Sequence, residues 1–367
     1  MPAHRRVLCD RTNPMRRTLG RPESRKPLPS TLRCQLLAAS LQWPLGAAAL
    51  QSAAMPDKVW RVGAGLAVSH IADAIQQAAG GDIIEILPGI YAGDMAVIHQ
   101  RRLQLIGLGS GPQDRPHLLA AGGHADGKAI WVVRNGDIRL ENLDFEGARV
   151  PDGNGAAICF EGGRLALQQC GFHNHEIGLL IGNRADAQLS FMQCEFSRAP
   201  VNRVDLSHLI YVGRIGHFRL QDCRLGAGRE GHLVKSHARQ TVIVDNLPDD
   251  GPNGQASYEI DLPEGGDALV EGNTMVQSTG TRNPVMLSYG AEGGRWPLNQ
   301  LTLRRNTFIN HLPSGDWFVR VWAHRLPGPA SVLSQNNRYL GPGSLLLGPG
   351  GRSVDDLRGP VPPAAPA

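Results

Sequence analysis

Leu165-Ala166-Leu167-Gln168-Gln169-Cys170-Gly171-Phe172 decides the fold of this chain. Two apolar residues alternate, two polar ones follow, and a small residue precedes another apolar one. The pattern returns as Leu189-Phe191-Cys194-Phe196 and Phe218-Leu220-Cys223-Leu225. It continues as Ile243-Asn246, Val270-Asn273-Met275, Leu301-Leu303-Asn306-Phe308 and Val332-Asn337-Tyr339. An earlier copy, Ile138-Leu140-Leu143-Phe145, carries Leu in the Cys/Asn slot. That slot steps through 143, 170, 194, 223, 246, 273, 306 and 337, at intervals of about two dozen residues and upward, as solenoid coils do. Each copy is a short strand with alternate residues pointing inward. A single coil cannot bury its inner face, so coils must stack, like residue above like. The chain is predicted to be all-β: a right-handed parallel β-helix, a solenoid with a short N-terminal capping helix.

The slot follows the strand, at a turn. Stacked Asn amides can bond one another there, and Cys fits the same slot as a small buried hydrophobe. Cys170, Cys194 and Cys223 therefore read as rungs, and Cys159, within a strand, as core. The composition agrees: 45 Gly and 26 Pro with 5% aromatics suit many short elements joined by turns.

Residues 1–54 read as a leader. Arg5, Arg6, Arg11, Arg16, Arg17, Arg21, Arg25, Lys26 and Arg33 precede two short apolar runs, and Ser52-Ala53-Ala54 supplies small residues for cleavage. This predicts a protein exported to the periplasm or secreted. The same segment accounts for the net charge of +4, so the charge does not indicate nucleic acid. No integral membrane segment is expected. The β-helix is predicted over 55–347, followed by a disordered Pro/Gly-rich tail over 348–367.

At the start of the solenoid, 69–79 has helical periodicity with Ser69 as N-cap, and Gly80-Gly81 follows. Then come Asp82-Ile83-Ile84-Glu85-Ile86-Leu87 and Pro88-Gly89-Ile90-Tyr91. A helix before Gly81-Asp82-Ile84-Ile86-Pro88-Gly89-Tyr91 resembles the opening of pectin-lyase-like β-helix proteins. The resemblance implies the fold from 59 to about 345, and a groove that takes extended carbohydrate.

Four polar segments recur at coil spacing: 207–211 with His208 and Tyr211, 231–239 with His232, Lys235, His237 and Arg239, 257–261 with Tyr258, Glu259 and Asp261, and 288–292 with Tyr289 and Glu292. Stacking places them on one sheet. Lysine is almost never buried unpaired, so Lys235 should face outward. Strand parity then puts Leu233 and His237 out with it, and Val234 and Ser236 in. On the next coil it puts Glu259 and Asp261 out, and Tyr258 and Ile260 in. Coils about 4.8 Å apart let Lys235 meet Glu259 or Asp261, and let His208 and His232 stack. An exposed ion pair of no function would contribute only about 0–1 kcal/mol.

Catalytic candidates are Lys235, His232, His237, Tyr258, Glu259 and Asp261. Substrate-binding candidates are His208, Tyr211, Arg239, Tyr289 and Glu292. His232-Leu233-Val234-Lys235-Ser236 resembles the lysine-bearing coil of the chondroitinase B/alginate lyase family. That family has an Arg-containing strand on the next coil, where this chain has Tyr258-Glu259-Ile260-Asp261, so the resemblance implies a role for Lys235 alone. A lyase cleaving an acidic polysaccharide by β-elimination would use Lys235 as base, provided its pKa falls. Arg239 or His237 would neutralise the substrate carboxylate, and Tyr211 or Tyr289 would donate a proton.

A glycoside hydrolase would use Glu259 and Asp261, which at i and i+2 on one strand face stand about 7 Å apart. Epimerisation shares the first step of the lyase. A non-catalytic polysaccharide-binding module is the reading outside catalysis. The partner expected in every case is a polysaccharide, with no nucleic acid. No cofactor is demanded and no metal site is assigned. The oxygen-rich turns 248–254 and 263–267 are of the kind that takes calcium. His173 and His175 are expected in a solvated loop.

Overall fold

Why the repeat becomes a solenoid is visible in its register. A computed structural model describes residues 58–202, 206–281, 283–313, 315 and 317–362. Residues 1–54, read as a leader, lie outside them. Parallel strands form sheets of twelve, ten, seven and four strands, each ordered monotonically along the chain. Leu165 pairs with Ile138 and Leu189, and Leu167 with Leu140 and Phe191, so the apolar positions of the repeat form continuous inward rows. Further on, Phe145, Phe172 and Phe196 stack with centroids 5.5 and 4.8 Å apart. The core is thus a column along the solenoid axis.

The rung slot is a hydrogen-bonded ladder. Asn246 Nδ2 donates to Asn273 Oδ1 (2.9 Å), Asn273 to Asn306 (3.0 Å), Asn306 to Asn337 (2.9 Å) and Asn337 to Asp356 Oδ1 (3.0 Å). Each Oδ1 also accepts a backbone N–H from the coil before it. Cys170, Cys194 and Cys223 occupy the earlier rungs, buried and free. The residue before the rung has positive φ: Gln169, Gln193, Asp222, Asp245, Gly272, Arg305 and Asn336. Left-handed backbone is costly for most side chains, and Asn, Asp and Gly are the residues that tolerate it best.

Several expectations are corrected. The solenoid does not end at 347. Arg352–Val354 and Leu357–Gly359 continue two of the sheets, pairing in parallel with Ser331–Gln335 and Arg338–Leu340, and Asp356 between them terminates the ladder. The capping helix is Ile71–Gln77 with His70 at its N-cap, and Ser69 plays no capping part. Asp94 accepts from Ile71 and Ala72 N–H instead, both at 2.7 Å, so a carboxylate from the next turn of chain satisfies the helix start. Cys159 is core as expected, in a second, smaller buried cluster with Val132 and Leu180. His175 is buried, not solvated. Its Nε2 lies 3.0 Å from Phe145 O and its Nδ1 accepts from Ala148 N–H. Burial pushes its pKa down to about 3.

Candidate functional site

The ten-stranded sheet carries the polar segments. Along it, register aligns Tyr211, Lys235, Asp261, Ser288 and Arg320 in one row. The flanking row Ile210, Val234, Ile260, Leu287 and Val319 belongs to the core. The polar row therefore faces outward, as the reading of Lys235 anticipated, and Val234 points inward as expected. It is not open to solvent, however. Lys235 is only 6% exposed and Asp261 2%. The 290–295 loop brings Glu292 over the row, with its Oε1 2.6 Å from Lys235 Nζ. Asp261 Oδ2 lies 3.9 Å from the same nitrogen.

A second row forms at the strand entrances. The rings of His208 and His232 lie 4.7 Å apart, as expected, and Tyr258 extends the stack at 4.7 Å from His232. His232 N–H donates to His208 Nδ1 at 2.9 Å, and His232 Nε2 stands 3.5 Å from Asp261 Oδ2. Tyr211 bridges the two rows, 5.7 Å from His208 and 5.5 Å from His237 by ring centres. On the far flank His237 Nδ1 approaches Glu264 Oε1 at 3.7 Å, and Arg214 grips the Glu264 carboxylate through Nε and Nη2.

Parity fails at the strand entrances. Leu233 and Val234 both join the core, although Leu233 was expected outside. On the next coil Glu259 and Ile260 are both turned inward, and Tyr258 lies outside against His232. The cause is local: the chain enters each three-residue strand from a turn, and alternation begins only within the strand. Glu259 is consequently fully buried, its backbone bonded to Val234 and Met286. Its neighbouring charges are Asp250 and Asp249, those of Asp261 are Lys235, Glu292 and His237. The two carboxylates do not share a face, which removes the pair required for glycoside hydrolysis.

Tyr289 is also misplaced by the sequence reading. It is fully buried in the core, and its hydroxyl donates to Gly266 O at 2.5 Å, so it cannot donate to a substrate. Arg239 is exposed beyond the end of its strand, and no ion pair or hydrogen bond of the cluster involves its side chain among the described residues. Ser288, Arg320 and the Arg214–Glu264 pair were missed. Ser288 and Arg320 were legible only through register, since their coils are lengthened by loops.

Electrostatics reassign the roles. Burial pulls the Lys235 pKa down, but Asp261 and Glu292 outweigh it and hold the ammonium above its ordinary value. Lys235 is thus a fixed cation, and its proposed part as base is corrected. Burial pushes Asp261 up to about 6, with Lys235 opposing and Glu292 reinforcing. Burial likewise raises Tyr211, keeping the phenol protonated. Burial pushes Glu264 upward, yet His237 and Arg214 hold it down at about 2. The row thus offers a cation, a carboxyl group that titrates near neutrality and a neutral phenol. Asp249 and Asp250 accept hydrogen bonds from turn N–H groups of Gly251, Gly228 and Ala256. Among the described residues no three His, Cys, Asp or Glu side chains are grouped as metal ligands, and no helix is long and apolar enough to cross a membrane.

No protein-family model and no curated protein matches the chain. Solved structures similar to it include the ORF18 protein of Geobacillus virus E2, at 12% identity and TM-score 0.47. That match covers 77% of this chain and 52% of the viral one, so this chain spans about half the length of that protein. A pectin methylesterase from Aspergillus niger matches at 15% identity and TM-score 0.42, covering 86% and 93%. PfbA, a surface adhesin of Streptococcus pneumoniae, matches at 9% identity and TM-score 0.38, covering 78% and 85%. At these values nothing about activity passes from them to this chain. The stacked parallel sheets themselves make the fold a parallel β-helix.

Proposed function

We propose that this protein is an exported, carbohydrate-active enzyme that cleaves an acidic polysaccharide by β-elimination on the Tyr211–Lys235–Asp261 row. One observation carries the reading: Lys235, nearly buried, already holds a carboxylate from outside the sheet. Glu292 reaches it from a loop, with a half-exposed side chain, and stands where the carboxylate of a uronic acid unit would bind. A substrate carboxylate replaces Glu292 as the loop lifts. Gly290, at φ +83, gives that loop a hinge point that a side chain would strain.

Lys235 then neutralises the uronate and acidifies the carbon-bound proton next to it. Asp261, ionised above about pH 6, takes that proton. The electron pair forms the new carbon–carbon double bond and the glycosidic carbon–oxygen bond breaks. Tyr211 supplies a proton to the leaving oxygen. His232 orients the Asp261 carboxylate.

The test is incubation with a panel of acidic polysaccharides, followed by ultraviolet absorbance of the unsaturated product. Asp261→Asn and Lys235→Met should each lower turnover at least about a hundredfold, within the usual range for a general base or a charge-stabilising group. Binding without any turnover would select the non-catalytic module, and neither binding nor turnover would remove the carbohydrate reading. Export is checked by fractionation and N-terminal sequencing, with cleavage expected after Ala54.

A further inference from the structure

The row does not stop at Asp261. Two strands further along the same outward row stands Arg320, aligned through Ser288. Strand spacing puts it roughly 10 Å from Asp261, within the length of a disaccharide. Its guanidinium lies 3.8 Å from the ring centre of Trp322, and a second ring, Trp317, stands 5.8 Å away. Arg325 lies against Trp322 as well, at 4.5 Å. Stacking on an indole fixes the plane of the guanidinium and leaves its fork of donors aimed in one direction.

Among the described residues Arg320 lacks an acceptor: its Nε is enclosed without a hydrogen-bond partner, as is Trp322 Nε1. No ion pair joins Arg320 to a carboxylate among the described residues, whereas Arg214, Arg304 and Arg305 are each paired with one. An enclosed, unpaired donor is costly, and groups of that kind are normally satisfied by a partner or a ligand. The partner that suits a planar cationic fork is a carboxylate. Arg320 is also close enough to Tyr258, at the edge of the catalytic row, for its charge to act on that phenol.

We propose that Arg320, held flat by Trp322, binds the carboxylate of a second acidic unit of the same polysaccharide chain. This rests on the reading of the Lys235–Asp261 row as a glycan site, and deepens it: the substrate carries acid groups on at least two nearby sugars. Lys235 reads the acid at the reacting unit, and Arg320 reads the one further along.

Binding is measured by calorimetry with monomers and tetramers of galacturonate, guluronate and glucuronate, and with the methyl-esterified galacturonate tetramer. Wild-type protein should bind at least one acidic tetramer, and the monomer and any ester much more weakly. Arg320→Gln should weaken the acidic tetramer about tenfold or more, the scale of one charge-assisted hydrogen bond, and leave the monomer unchanged. A merely structural Arg320 would weaken both ligands alike or neither, and either result overturns the proposal while leaving the Lys235 site intact. If wild-type protein binds no sugar of the panel, the glycan reading itself falls. Should Arg320→Gln fail to fold, Arg320→Lys keeps the charge and loses the fork. It should then show the same selective loss, at about threefold or more, and an unchanged tetramer affinity would overturn the proposal.

Discussion

Replacing Asp261 by Asn should change the pH dependence of stability in a defined direction. Asp261 is buried and its pKa is pushed up to about 6 from an ordinary value of 3.8. An acid whose native pKa is raised binds its proton more tightly when folded. Its stabilising effect is full below pH 3.8 and is lost as pH rises through 6. The interval between the two pKa values, at about 1.4 kcal/mol per pH unit, makes about 3 kcal/mol. Asn does not titrate, so Asp261→Asn should gain about 3 kcal/mol relative to the wild type between pH 3.5 and pH 7.5. Urea unfolding of both proteins across that range measures the difference. Groups common to both proteins cancel, except those that face Asp261. Lys235 titrates above the range. His232, His237 and Glu292 face the same carboxylate, so the comparison is repeated in a His232→Gln, His237→Gln, Glu292→Gln background. A stability difference that stays flat with pH would refute the elevated carboxyl, and with it Asp261 as a group poised near neutrality.

Three further outcomes follow from the packing. Glu259→Met should stabilise the protein by about 1–3 kcal/mol at pH 7, because it removes a carboxyl whose two oxygens are buried without a hydrogen-bond partner among the described residues. Burial raises the Glu259 pKa well above the ordinary value, so the gain should widen as pH rises, and a net loss in urea unfolding at pH 7 and 9 would contradict this placement. Asn273→Ala should cost about 3 kcal/mol, since it strips a partner from Asn246 N–H, Asn246 Nδ2 and two buried carbonyls, and a loss under about 0.5 kcal/mol would count against the ladder. His175, buried and neutral, has a native pKa of about 3 against 6.5, so its contribution is full above pH 6.5 and is lost as pH falls. By pH 5 the wild type should have lost about 2 kcal/mol that His175→Gln does not lose, a convergence seen by unfolding both at pH 7 and pH 5.

The sequence carried the fold because the repeat is a direct image of the structure. Residues 165, 167, 170 and 172 are apolar or small because each occupies a row shared by neighbouring coils. The Cys/Asn slot was legible for the same reason. Its last rung was hidden because Asp356 replaces Asn and the strands around it are three residues long within a Gly/Pro-rich stretch. The candidate site was legible as a region and less so residue by residue. Lys235, Asp261, His208 and His232 were brought together as coil spacing implied. Glu259 was assigned to the outer face yet points inward, because parity does not hold where a turn feeds a short strand, and Tyr289, a candidate proton donor, lies in the core row of its strand beside Leu287. The charge state of Lys235 was beyond reach, since it depends on Glu292, 57 residues away on a loop whose path no repeat specifies. Arg320 sits in a coil stretched by insertions, and only the register reveals that it shares the row of Asp261.

The most direct test of the site is a crystal structure of Asp261→Asn, unable to turn over, with an acidic oligosaccharide bound. The sugar chain should lie along the Tyr211–Arg320 row, with Glu292 displaced and a sugar carboxylate within hydrogen-bond distance of Lys235 Nζ. A sugar bound on another face of the solenoid, with Glu292 still on Lys235, would contradict the assignment.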